Sequence, residues 1–139
     1  MVDGFWARHS GRAAVCCGAI GGTIYVLMMT VTLARIEGIS GQVPFDMRPL
    51  GYSPQDAATL LEGLGHEGRR YYLSHQIPLD TMYPALLALT LVSLMRWSGQ
   101  SLSGPRLVRG GVTLAIAAAL CDYIENLGIV AMVLSWPDL

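Results

Sequence analysis

The chain contains no lysine, only two phenylalanines, no CxxC pair and few charges of either sign. Its nine basic residues are all arginine, a choice that reads as base composition rather than mechanism, and the net charge is −1. With no basic stripe to neutralise phosphates, a nucleic-acid partner is excluded. The three cysteines (Cys16, Cys17 and Cys121) cannot form a disulfide framework, and thiol–disulfide exchange of the CxxC type is disfavoured. They read as small packing residues. Only 14% of the residues are charged, against about 25% in soluble domains. Mean hydropathy is +0.45. The 139 residues therefore read as one membrane domain, 1–139, of all-α class.

What is present is apolar sequence in long runs. Residues 13–34 form an uncharged stretch of 22, enough to cross a bilayer core of about 30 Å. Arg8 and Arg12 precede it as in a signal peptide, but the run is too long for one and lacks a small-x-small exit, so a retained helix is expected. Ala14, Gly18 and Gly22 recur every four residues, a face on which a second helix can approach closely. A second span is expected over residues 71–97, with Pro78 and Pro84 inside it, and a third over 107–136. Twelve residues before Asp122 and ten after Asn126 are each too few to cross alone, so the third span is expected as one helix, with Gly128 its weakest point. Arg96, Arg106 and Arg109 flank a connection without acids, which with Arg8 and Arg12 predicts a cytoplasmic N-terminus in an inner membrane. Residues 35–70 then form the outer loop. Within it Ser53, Pro54 and Asp56 suit N-cap, N1 and N3, predicting a short amphipathic helix over 54–64 that lies on the membrane surface and stops at Gly65.

Polar residues interrupt the spans at matched depth. Asp80 lies sixteen residues from Arg96, and Asp122 sixteen from Arg106, or about 24 Å each at 1.5 Å per residue. Antiparallel neighbours would present the two carboxylates to each other. Gln76 and His75 lie one turn further on one helix, Glu125 and Asn126 on the other, and spacings of three and four put Asp122, Glu125 and Asn126 on one face. Ionisable groups in hydrocarbon face protein or water and mark function by default. Clustered carboxylates raise at least one pKa, which suits a proton relay or acid–base pair; alternatively they hold a cation; or they are structural, neutralised by Arg48 or Arg69 from the loop. Tyr71 and Tyr72 suit an interfacial belt, whereas Tyr83 and Tyr123 lie deeper and need hydroxyl partners.

Two further segments stand out. Residues 63–68 match GxGxxG, but no strand or βαβ unit surrounds them, so these glycines read as the end of one helix and the start of the next. Residues 45–52, with Phe45, Asp46, Arg48, Pro49, Gly51 and Tyr52, read either as a lid over the carboxylates or as a turn held by an Asp46–Arg48 salt bridge.

The stretch FDMRPLGYSPQDAATLLEGLGHEGRRYYLSHQIPLDTMYP and the later CDYIEN resemble a family of small bacterial integral-membrane proteins without an assigned activity. The resemblance rests on an Arg-Pro-x-Gly-Tyr loop, a Leu-Asp-x-x-Tyr-Pro helix and an Asp-Tyr-x-Glu-Asn helix. It implies that Arg48, Tyr52, Arg69, Tyr72, Asp80, Tyr83, Pro84, Asp122, Glu125 and Asn126 act together. It also implies four helices, whereas three spans are legible here; a three-span bundle or a wall supplied by a partner subunit would reconcile the two.

Three functional expectations follow. The first is a buried carboxylate site, Asp80, Asp122 and Glu125 oriented by Asn126, Gln76 and His75, that binds a proton, a cation or a small polar or lipid headgroup, with a homo-oligomer or partner membrane subunit needed for any transport. The second is a structural or assembly subunit. The third is an enzyme acting on a lipid or isoprenoid. No cofactor and no dedicated metal site is indicated.

Overall fold

Helix is dictated by the apolar runs and interrupted where the chain must turn or where proline removes a donor. The computed structural model describes residues 3–99 and 105–138; the connection at 100–104 lies outside them, as do the side chains of residues 3–8. The protein is all-α and 89% helical. The order is α1 (Asp3–Leu27), a π-turn (Met28–Thr32), α2 (Leu33–Ser40), a short 3-10 turn (Phe45–Met47), α3 (Pro54–Tyr71), a second π-turn (Tyr72–Gln76), α4 (Ile77–Ser98) and α5 (Pro105–Ser135).

Three helical stretches are long and apolar enough to cross a membrane: His9–Ser40, Pro54–Ser98, which is kinked at Gly65, and Pro105–Ser135. At most 22% of the most apolar window in any of them is buried by protein. Large side chains such as Val15, Leu114, Ile124 and Leu134 are exposed. That much uncovered apolar surface is incompatible with water and expected against lipid. The first stretch runs past the expected end at residue 34 to Ser40, so only residues 41–53 form a non-helical link where a loop over 35–70 was expected. The third is a single helix through Gly128.

Contacts gather the chain into two compact units, Met1–Ile24 with Met82–Ile124 and Tyr25–Thr81 with Glu125–Leu139. In the first, small residues set the helix approach. A Cβ on Gly18 would lie 3.3 Å from Thr90 Cγ2, and one on Gly21 would lie 3.3 Å from Leu86 Cβ. Gly22 faces open space. The close-packed face is therefore Ala14, Gly18 and Gly21, not the strict four-residue repeat through Gly22, because 3.6 residues per turn drifts off a spacing of four.

The second unit is built on α2 against α3. Ile36, Leu60 and Leu61 are fully buried, each such side chain worth about 1.5–3 kcal/mol. The backbones come so close that a Cβ on Gly63 would sit 2.6 Å from the Ser40 carbonyl oxygen. α3 begins as expected. The Ser53 hydroxyl accepts from the Asp56 backbone N–H, and the Asp56 carboxylate accepts from the Ser53 N–H, with Pro54 at the first helical position. At Gly65 the backbone turns left-handed (φ 59°), ending one helical segment and starting the next. The carbonyls left open there are partly closed by Arg69, whose guanidinium donates to Leu61 O at 2.7 Å.

Candidate functional site

The polar centre of the second unit is assembled around two π-turns and one proline. A π-turn holds one extra residue in a helix and recurs at functional sites. In the first, the Leu33 N–H reaches back five residues to Met28 O; in the second, the Ile77 N–H reaches Tyr72 O. The second has a legible cause. Pro78 has no N–H and its ring would clash with the carbonyl four residues back, so the preceding turn widens. The turns pack against each other, and the Thr32 hydroxyl contacts the amide oxygen of Gln76. Gln76 is fully buried, and among the described residues its amide nitrogen has no hydrogen-bond partner.

One turn before Gln76 lies Tyr72, also fully buried. An interfacial position was expected for it. Instead its hydroxyl donates to the Asp46 carboxylate of the 41–53 link. Phe45 packs between Tyr52 and Tyr72, with ring centroids 4.7 and 6.1 Å away. The aromatic trio fixes the link over this part of the helix. Asp80 and Tyr52 are close enough to Tyr72 to act on it electrostatically, and Glu125 and Asp46 do the same to Tyr52. Burial first, and then the Glu125 and Asp46 carboxylates, push the Tyr52 phenol above its ordinary value. It is a firm hydrogen-bond donor at any physiological pH.

Asn126 has a defined partner. Pro84 cannot donate to the carbonyl four residues before it, which is that of Asp80. The Asn126 amide supplies the missing donor, Nδ2 to Asp80 O at 3.1 Å, and is itself buried. This is the re-satisfaction of a freed carbonyl that a kinked membrane helix requires.

The expected site residues fall out as follows. Gln76, Asp80, Glu125 and Asn126 belong to the second unit with Asp46, Tyr52 and Tyr72; Asp122 and Tyr83, both partly buried, belong to the first. Asp80 is partly buried and Glu125 exposed, so a fully enclosed carboxylate pocket is not what these side chains form. His75 turns outward. It stacks on Tyr71 (4.4 Å, 15° between planes), which also carries Arg35 over its ring at 4.5 Å, and its Nδ1 lies 2.7 Å from Ser74 Oγ. The side chain next to a buried residue on a helix points about 100° away, which is why His75 and Gln76 part company.

Arg48 and Arg69 were expected as counter-charges. Arg48 instead pairs with Asp56 at 3.3 Å, and not with Asp46, and donates to Val43 O at 3.0 Å. Arg69 caps Leu61 O as described. Asp46, as a site member rather than a turn former, is the residue that sequence reasoning missed; its signal was the neighbouring Phe45, whose burial carries it inward. Among the described residues no three of His, Cys, Asp and Glu converge closely enough to hold a metal ion.

No family model, curated relative or solved structure matches this chain. The geometry stands on its own.

Proposed function

We propose that the chain is a small multi-pass protein of an inner membrane, its N-terminus cytoplasmic and its 41–53 link on the outer side, that binds a proton among the carboxylates of its second unit. The arginine distribution supports the orientation: Arg96, Arg106 and Arg109 fall on one side of the spans with Arg12. The observation that supports the reading is the Tyr72 hydroxyl donating to the Asp46 carboxylate one helical turn from the buried Gln76, with Asp80 and Glu125 in the same unit. A phenol that donates to a carboxylate fixes that group's orientation. Three spans are few for a pathway within one protomer, so any transport would run through a homo-oligomer or a partner subunit.

The test is infrared titration of protein reconstituted in lipid. A protonated-carboxyl band that titrates near neutral pH and is lost in Asp80→Asn or Glu125→Gln, with folding and abundance intact, is the expected result. If no carboxyl titrates near neutrality in the folded protein, the site reading fails. Loss of the protein or of its complex in Asp80→Asn would favour the structural or assembly role instead.

A further inference from the structure

Away from the carboxylates, the second unit carries a cavity of about 480 Å³ whose two walls differ in chemistry. One wall is basic: Arg69 and Arg70, in the last turn of α3, with His66 beside them. The other is apolar, formed by Leu73 and by Val133 and Leu134 near the end of α5, and Trp136 lies just past that end. A water-soluble anion needs only the first wall. A molecule with a charged head and a hydrocarbon body needs both.

The position supports the second kind of molecule. α5 has 31 residues, about 46 Å at 1.5 Å per residue, comparable to a bilayer with its headgroup layers. Its end is therefore at headgroup depth, where Trp136 is the expected aromatic anchor. Leu134 is 68% exposed, so hydrocarbon is its natural cover. Arg69 commits one guanidinium nitrogen to Leu61 O and retains others, and Arg70 is exposed. Two adjacent arginines offer forked donors that match phosphate geometry. The nearby acid is Glu67, 4.0 Å from His66 and 93% exposed, so it offsets His66 rather than the arginine pair. The Ser74 hydroxyl, also in the wall, is turned to Arg70 O at 2.8 Å and leaves the phosphate to the guanidinium groups.

We infer that this cavity binds the phosphate of an anionic glycerophospholipid, with Arg69 and Arg70 on the headgroup and an acyl chain along Leu73, Val133 and Leu134. An amine-bearing headgroup would bring a cation against the arginines, so the choice falls on lipids without one. The inference is independent of the carboxylate site.

The experiment uses the full chain in a neutral detergent, with phosphatidylglycerol, phosphatidylcholine, glycerol phosphate and inorganic phosphate as probes, read by native mass spectrometry and by thermal unfolding. Phosphatidylglycerol is expected to stay bound and to raise the unfolding temperature, and the two soluble phosphates to do neither. Arg70→Gln keeps the Arg69 cap and should weaken phosphatidylglycerol by about tenfold, the loss of a charge-assisted contact. Leu134→Ser should weaken the lipid without changing the response to soluble phosphate. Equal binding of phosphatidylglycerol and phosphatidylcholine, or an unchanged affinity in Arg70→Gln in a folded protein, would overturn the proposal. Protection by inorganic phosphate equal to that by the lipid would overturn it too, by showing that the apolar wall contributes nothing.

Discussion

The two units solve the same problem, holding apolar helices together, by different means. In the first, glycine does the work: Gly18 and Gly21 bring α1 up to the side chains of Thr90 and Leu86, and Gly111 accepts Met95 so closely that a Cβ there would lie 2.6 Å from its sulfur. A cavity of about 550 Å³ there has Leu91, Leu94, Leu107 and Leu114 among its lining residues. In the second unit the helices are held by specific polar bonds: Thr32 with Gln76, Tyr72 with Asp46, Asn126 with the Asp80 carbonyl. Close packing tolerates exchange of one small residue for another, whereas a buried hydrogen bond fixes one geometry and penalises any other. Chemistry that needs a fixed geometry belongs in the second unit.

The contrast can be broken or sharpened by substitution, measured as unfolding in detergent. Gly63→Ala should have the largest effect, a loss of about 3 kcal/mol, because its new methyl meets the Ser40 backbone and not a side chain that can move. Asn126→Leu should lose about 2 kcal/mol by orphaning the Asp80 carbonyl. Adding Pro84→Ala, which returns an N–H to that carbonyl, should recover part of this loss. If the double variant is no better than the single one, Asn126 acts otherwise than through the proline. Tyr72→Phe should lose about 1.5 kcal/mol and loosen the 41–53 link, detectable as faster proteolysis there. Arg48→Gln removes an ion pair whose acid is solvent-exposed and should have a smaller effect than any of these. At the foot of the series, Gly22→Ala in the first unit points into open space and should be neutral or slightly stabilising. A Gly22→Ala loss as large as that of Asn126→Leu would erase the distinction between the units.

Much of the scaffold was legible in the sequence because it depends on length and local chemistry. The three apolar stretches, the Ser53–Asp56 cap and the stop at Gly65 all follow from residue types at short spacing. The helix of the first span continues past Arg35 to Ser40, and the Arg35 guanidinium lies over the Tyr71 ring, a contact no local pattern announces. The site was legible in part. Gln76, Asp80 and Asn126 stood out as polar residues in apolar runs, and Pro84 foretold a freed carbonyl without saying what would close it. Tyr72 stood out both as an interface residue and as a supporting member of the site, and its burial against Asp46 is a contact that helical spacing does not announce; His75, counted with the site, stacks outward on Tyr71 in a π-turn that re-aims the side chains along it.

That re-aiming has a consequence for how this chain can change in length. Each π-turn is an added residue that its helix absorbed without breaking. Deleting one residue from 28–32 should therefore leave a regular helix with Leu33 and Ile36 close to their seats, and the loss should fall on the widened turn itself, where Thr32 meets Gln76. Shortening one turn is a repair the fold can survive, at the expense of that one polar contact.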